Sequence, residues 1–136
     1  MRDALRTRWS DMGGKMVRLA EEFPENAYDF RPAPESRTFA DQLRHVAFWN
    51  EYVSRILRNE KADGDANTLS PTAFPTKTSV VTALRESFDG VTALLSNGNG
   101  VPDLEQVVAF IEHNGEHYGQ LVAYYRMNGL VPPASR

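Results

Sequence analysis

Three histidines are the residues of this sequence whose type and spacing could support chemistry. His113 and His117 lie four residues apart in a run with helical character, and His45 lies 68 residues before His113. Four residues make about one α-helical turn, so the two later rings should project from one helix face. Imidazole is mostly unprotonated at neutral pH and is the commonest metal ligand in proteins. If His45 faces the same point across a helix bundle, the sequence predicts a three-histidine metal site with open positions.

Such a site would be of the catalytic type, because three neutral imidazoles leave at least one coordination position for water or substrate. One chemistry open to it is hydrolysis, in which the metal lowers the pKa of a bound water to about 7. The other is transfer of a low-molecular-weight thiol, which the metal would bind as a thiolate before its attack on an electrophile. The chain contains no cysteine, so the sulfur nucleophile would have to come from outside.

Two familiar metal motifs are excluded by the residues around the histidines. The segment that starts at His113 has the spacing of a zincin helix, but Asn114 stands where the glutamate general base is needed. Di-iron bundles require Glu-x-x-His on two helices, whereas Gln42 and Phe110 precede their histidines by three residues. No general acid or base is assigned from the sequence.

A structural role is the competing interpretation of these side chains. A lone histidine on an apolar face, such as His45, is commonly a satisfied core residue, and an i, i+4 pair can be a polar stripe. Trp49 shares a face of the second helix with His45, and Tyr124 shares a face of the fourth helix with His113 and His117. Both could line a substrate pocket or simply pack in the core. Four further side chains could hydrogen-bond the histidines or be merely solvated: Asp41, Gln42, Glu116 and Gln120.

Four segments with helical periodicity must position the histidines. They are predicted at residues 2–23, from a Thr38 cap to residue 58 or 59, at 77–95, and from 103 to a stop at Gly129. The run Asn97–Gly100 is a strong stop signal after the third helix, and the short connection that follows suits antiparallel neighbours. No segment alternates with a period of two. The prediction is an all-α four-helix bundle formed by a single domain, residues 1–136.

Helix faces place the histidines at the inside of this bundle. His45 shares its arc of the second helix with aromatic and aliphatic residues, opposite an arginine-rich side. His113 and His117 lie at one edge of the apolar arc of the fourth helix, where a pocket between helices would open. The faces therefore favour a metal site over three unrelated histidines.

Composition limits the class of protein. The formal net charge of −3 disfavours nucleic acid as a partner. The N-terminus is too charged for a secretory signal, and the longest apolar run, Val107–Ile111, is too short to cross a membrane. We therefore expect a cytoplasmic protein with a small-molecule substrate and no membrane or nucleic-acid partner.

Four stretches of the sequence resemble the DinB/YfiT-like family of bacterial four-helix-bundle metalloenzymes. They are Tyr28–Pro34, Thr38–Ala47, His113–Val122 and Arg126–Pro133. The resemblance implies up-down-down-up helix order and a divalent metal, nickel or zinc, bound by His45, His113 and His117. It also implies frequent homodimers. Characterised relatives include metal-dependent thiol transferases, and mycothiol-dependent isomerases carry a similar domain.

The sequence departs from this family in one place. The stretch Asn97–Pro102 looks shorter than is usual, so one wall of a pocket would be reduced. The resemblance favours a thiol-dependent transferase. A metal-dependent hydrolase and a non-catalytic metal-binding bundle are the alternatives.

Overall fold

The computed structural model describes residues 1–97 and 103–136, and over these ranges it contains α-helices and two short 3₁₀ turns but no β-strand. The helices are α1 (Arg2–Glu22), α2 (Phe39–Leu57), α3 (Lys77–Ser96) and α4 (Leu104–Met127). The 3₁₀ turns are Glu25–Ala27 and Pro133–Ser135. The all-α prediction is confirmed, with helix ends shifted by one or two residues. Residues 98–102, which carry most of the predicted stop and of the shortened connection, lie outside the described residues.

Local capping chemistry determines where the helices begin and end. Thr38 Oγ1 accepts a hydrogen bond from the Asp41 backbone N–H at 3.0 Å, which fixes the start of α2. The Asp41 carboxylate does not complete a capping box, because it binds Arg44 Nη1 at 2.8 Å. At the end of α4, Gly129 adopts φ +73°, the left-handed conformation that glycine tolerates best.

Contacts between α2 and its neighbours establish the direction of each helix. Gln42 contacts Tyr124 and Trp49 stacks on Phe110, so residue numbers rise along α2 as they fall along α4. These two helices are antiparallel. Contacts between α2 and α3 run in the same order along both helices, as the pairs Asn50–Ser87 and Ser54–Gly90 show. Helices α2 and α3 are therefore parallel.

Contacts of α1 complete the topology. Trp9 packs on Phe88 while Glu21 pairs with Arg85, so α1 is antiparallel to α3. Along α4, by contrast, Lys15 lies over Tyr118 and Leu19 accepts a hydrogen bond from Tyr125, so α1 and α4 are parallel. The order is up-down-down-up, as the resemblance implied. The strongest helix contacts place α1, α3, α2 and α4 in turn around the bundle. Helices α3 and α4 are thus antiparallel but diagonal, and the prediction that they are neighbours was wrong.

Because α2 and α3 are parallel, the connection between them, residues 58–76, must return along the length of the bundle. It runs beside the N-terminal half of α2. There the Leu69 N–H donates to the Arg44 carbonyl at 3.4 Å, and Arg44 Nε donates to the Phe74 carbonyl at 2.9 Å. This crossover brings backbone next to the helix turn that carries His45.

Aromatic and aliphatic side chains from all four helices fill the interior. Trp9 is fully buried, and its Nε1 donates to the Phe88 carbonyl at 3.1 Å. Phe23 stacks on Phe39 with 3.9 Å between the ring centroids. In the described part of the chain, no helix combines the length and the apolar character needed to span a bilayer.

Candidate metal centre

The three histidines converge in the groove between α2 and α4. His113 Nε2 lies 3.1 Å from His45 Nε2 and 3.1 Å from His117 Nε2. One ring nitrogen from each residue lies within 4.8 Å of the others. His45 and His117 are buried, and His113 is half-buried at the groove. The antiparallel pairing of α2 and α4 places a single histidine opposite an i, i+4 pair, as the helix faces predicted.

The outer nitrogen of His45 is held by the crossover. His45 Nδ1 lies 2.8 Å from the backbone carbonyl oxygen of Asn67. A carbonyl oxygen can only accept, so Nδ1 carries the proton and Nε2 presents its lone pair to the other rings. Asn67 has φ +63°, a left-handed conformation that asparagine tolerates better than most residues. Its side-chain Oδ1 accepts from Trp49 Nε1 at 2.8 Å, which fixes the turn against α2.

The outer nitrogen of His117 is held by a glutamine. His117 Nδ1 donates to Gln42 Oε1 at 2.7 Å. Gln42 Nε2 in turn donates to Gln120 Oε1 at 2.7 Å and to the Tyr124 hydroxyl at 3.3 Å. The Tyr124 hydroxyl donates to the Arg37 carbonyl at 2.7 Å. This network orients the Gln42 amide so that its oxygen faces His117, which leaves His117 Nε2 unprotonated.

His113 differs from the other two because its Nδ1 atom is buried without a hydrogen-bond partner. Its Nε2 atom faces two unprotonated nitrogens and can donate a proton to only one of them at full strength. With the proton on Nε2, two lone pairs therefore lack a donor among the described residues: that of His113 Nδ1 and that of one neighbouring Nε2. A buried polar group without a partner costs free energy, so native structures seldom retain one.

The electrostatic setting keeps all three rings neutral. Burial is the largest cause in each case, and it lowers the pKa of His45 to about 4 and that of His117 to about 3. Burial also lowers the pKa of His113. The positive charge of Arg37 acts in the same direction on all three. Near neutral pH, protons therefore do not compete for the nitrogens that face one another.

A divalent transition metal fits this arrangement. Two imidazole nitrogens that share a zinc ion at about 2.0–2.1 Å are about 2.9–3.4 Å apart for ordinary coordination angles. The two observed separations of 3.1 Å fall within that range. A cation at the point of convergence would accept the lone pairs of all three Nε2 atoms, with the His113 proton on Nδ1. The two outer hydrogen bonds also match the carbonyl and amide partners that orient metal-bound histidines.

Comparison with protein families gives an independent result. The sequence matches the DinB superfamily over residues 8–121, well over half of the chain. The chain belongs to the DinB superfamily. All three histidines lie within the matched range, whereas Tyr124 lies beyond its end. A search of curated proteins finds no match.

The other predicted residues of this DinB-superfamily site divide into two groups. Gln42 and Gln120 belong to the hydrogen-bond network behind His117. Asp41 is paired with Arg44 and Glu116 is exposed, and neither forms a hydrogen bond with a histidine. The carboxylates among the four candidates therefore do not hold the rings.

Trp49 and Tyr124 lie at opposite ends of the histidine cluster. Trp49 is half-buried and stacks on Phe110 with 5.7 Å between the ring centroids, and the edge of His113 lies beside it. Tyr52 packs against the same two aromatic rings. Tyr124 is buried, and its hydroxyl lies in the glutamine network. The groove is thus aromatic on one side of the histidines and polar on the other, and the role of both residues in a substrate pocket stays a prediction.

Sequence reasoning missed two residues that contact this site, Asn67 and Arg37. Asn67 lies in a connection whose path depends on the parallel order of α2 and α3, so its contact with His45 could not be read from helical spacing. The only signal was an asparagine in a segment rich in Gly and Asp, which favours left-handed turns. Arg37 directly precedes the Thr38 cap and gave no signal of its own.

Proposed function

We propose that His45, His113 and His117 bind one divalent transition metal and that the chain is a metal-dependent enzyme. The observation that carries the proposal is the convergence of three Nε2 atoms, two of which have their protons fixed on the far nitrogen. Nickel and zinc are the candidate metals, because the family resemblance implies them; three-histidine sites in general also accept copper or iron. The family resemblance favours transfer of a low-molecular-weight thiol to an electrophile.

When bound, the metal would supply a Lewis acid that keeps an added thiol ionised or activates water. The protein would hold this centre from behind, through Asn67 on His45 and Gln42 on His117. In the transfer reaction a sulfur–carbon bond forms and the leaving group departs with the electron pair of its bond to that carbon. The aromatic rings of Trp49 and Phe110 offer an apolar wall on which an organic electrophile could lie.

No general base is assigned to this site, and the family resemblance favours thiol transfer over hydrolysis. Hydrolysis commonly uses a general base within hydrogen-bond reach of the attacking water. Among the described residues, no carboxylate forms a hydrogen bond with any of the three imidazoles. A thiol that ionises on binding needs no such base. Hydrolysis remains the second candidate because the same open positions could hold water.

Metal content is the first test. Tag-free protein purified without chelator should contain about one equivalent of a transition metal per chain by elemental mass spectrometry. The double variant His113→Ala/His117→Ala should lose it. Glu116→Ala is the matched control, because this exposed side chain lies between the two histidines and should leave metal content unchanged. No metal in the wild-type protein, even after reconstitution with nickel or zinc, would refute the proposal.

Activity measurements separate an enzyme from a non-catalytic metal-binding bundle. Reconstituted protein should accelerate the reaction of small thiols with monochlorobimane more than the hydrolysis of a p-nitrophenyl ester. His45→Ala and His117→Ala should abolish the faster reaction while the helical circular dichroism is retained. Loss of the fold without any turnover in the wild type would instead assign the metal a structural role. The expected homodimer stays a prediction, to be tested by light scattering.

A further inference from the structure

A cleft of about 450 Å³ opens at the polar end of the groove between α2 and α4. It is lined by Glu35, Ser36, Arg37, Gln42, Gln120 and Tyr124. Gln42 is shared between this cleft and the histidine cluster, since its Oε1 atom accepts from His117 Nδ1. The Gln42 side chain therefore separates this cleft from the His117 ring.

Arg37 supplies the positive charge of this cleft. Its backbone carbonyl accepts from the buried Tyr124 hydroxyl at 2.7 Å, so its position along the cleft wall is anchored. Its side chain is exposed and, among the described residues, forms no ion pair. The cleft that it lines also contains Gln42, whose Oε1 atom accepts from His117 Nδ1. A guanidinium near a candidate metal centre but without a protein partner is available to a ligand.

The neighbouring groups leave Arg37 as the donor to an anion. Arg37 stands just before α2, but the first backbone N–H groups of that helix are already used. Phe39 donates to the Phe30 carbonyl, Ala40 donates to the Tyr28 carbonyl, and Asp41 donates to Thr38 Oγ1. The helix terminus is therefore not the anion-binding element.

The remaining lining side chains are compatible with this role. Gln120 and Ser36 are neutral and can add hydrogen bonds to an oxyanion. Glu35 is exposed and forms no ion pair with Arg37. Its charge would oppose an anion, so binding should depend on the arginine and should be sensitive to salt.

We propose that Arg37 binds the carboxylate of a small-molecule ligand whose other end reaches the three-histidine centre. Arginine suits this role because its planar guanidinium can donate two parallel hydrogen bonds to one carboxylate. Arg37 is then a residue of substrate specificity, and the ligand is an anionic thiol. This inference rests on the proposed metal-dependent function.

The test compares thiols that carry either a carboxylate or a neutral amide at the other end. Cobalt-substituted full-length protein is titrated with mercaptoacetate and mercaptopropionate, and separately with the corresponding amides, while the thiolate-to-cobalt absorption is followed. In low salt the ratio of carboxylate affinity to amide affinity should be roughly fivefold higher in the wild-type protein than in Arg37→Gln. This comparison cancels the difference in thiol pKa between each acid and its amide. Arg8→Gln, which removes an exposed charge on α1, should keep the wild-type ratio and serves as the matched control.

Each outcome bears on a different claim. The same ratio of carboxylate to amide affinity in Arg37→Gln as in the wild type would overturn the role of Arg37 and leave the proposed function intact. If cobalt binds to the histidines but no thiol changes its spectrum, the proposal that the protein transfers a thiol fails. The role of Arg37 as a binding residue for that thiol fails with it. Arg37→Gln should fold normally, because the anchor to Tyr124 uses the backbone.

Discussion

Replacing Gln42 with leucine would remove the oxygen that accepts the His117 Nδ1 proton at 2.7 Å. Gln42 is only 3% exposed, so water cannot easily take its place. The two side chains have similar size, and the substitution should disturb packing little. Its main effect is to leave one buried N–H donor without an acceptor.

The cost of that donor depends on whether a metal is bound. With a metal on Nε2, the His117 proton must remain on Nδ1, and an unpaired buried donor costs about 1–3 kcal/mol. Without a metal, the proton can move to Nε2, which lies 3.1 Å from His113 Nε2 and can donate to it. The His113 proton then lies on Nδ1, which has no acceptor, so the metal-free variant also bears part of the cost. A bound metal polarises the His117 N–H and strengthens its bond to Gln42, and loss of such a partner typically lowers metal affinity about 10- to 100-fold.

Competition with a chromophoric chelator would measure the change in metal affinity. Urea unfolding of the metal-free wild type and Gln42→Leu would show whether their free energies of unfolding differ by less than their free energies of metal binding. Gln120→Leu is the matched control, because this exposed glutamine contacts Gln42 but forms no hydrogen bond with a histidine. Its affinity should stay within about threefold of the wild type. Equal metal affinity in Gln42→Leu and the wild type, in an assay where His117→Ala abolishes binding, would refute the tautomer reasoning.

Three further predictions concern the crossover and the buried rings. Asn67→Ala and Asn67→Gly both lose the hydrogen bond to Trp49. Alanine also strains the left-handed backbone at this position, so Asn67→Ala should be about 1 kcal/mol less stable than Asn67→Gly in urea unfolding. Equal stabilities would contradict this expectation. A Cβ on Gly64 would lie 2.6 Å from Trp49 Cη2, so Gly64→Ala should shift tryptophan fluorescence, whereas Gly119→Ala, with open space around it, should not. Burial lowers the pKa of His45 to about 4 and that of His117 to about 3. Below the unfolded-state pKa of about 6.5, the unfolded chain therefore binds more protons than the folded protein does. The metal-free protein should therefore lose stability as the pH falls from about 6.5 to about 4, and a flat free energy of unfolding over that range would count against burial of these rings.

Helix limits and helix faces were predictable because their causes are local. The Thr38 hydroxyl caps the backbone three residues on, and Gly129 ends α4 in a conformation that few other residues accept. The inward direction of His45 and the shared face of His113 and His117 follow from 3.6 residues per turn. These local rules were sufficient to bring the candidate ligands together once the bundle was assumed.

The partners of the histidines were only partly predictable, because they depend on how distant segments cross. Gln42 and Gln120 were two of four candidates chosen by helix position, and the sequence could not separate them from Asp41 and Glu116. Tertiary structure makes the distinction, since the Asp41 carboxylate binds Arg44 and not a histidine. Asn67 was missed because the path of a 19-residue connection between parallel helices is not encoded in any local pattern.

The position of the candidate site also explains why buried polar residues are retained between α2 and α4. A slide of one residue in either helix would turn its histidine face by about 100° and separate the three rings. Apolar packing alone resists such a slide weakly, because aliphatic side chains can repack. Hydrogen bonds fix the register on both sides of the histidines, from Gln42 to Tyr124 and from Asn114 Nδ2 to Asn50 Oδ1 at 3.0 Å. Asn50 also donates to Ser87 of α3 at 3.2 Å, so the register of three helices is tied to the layer next to the histidines. These polar contacts align the helices, which is the property that a three-ligand site requires.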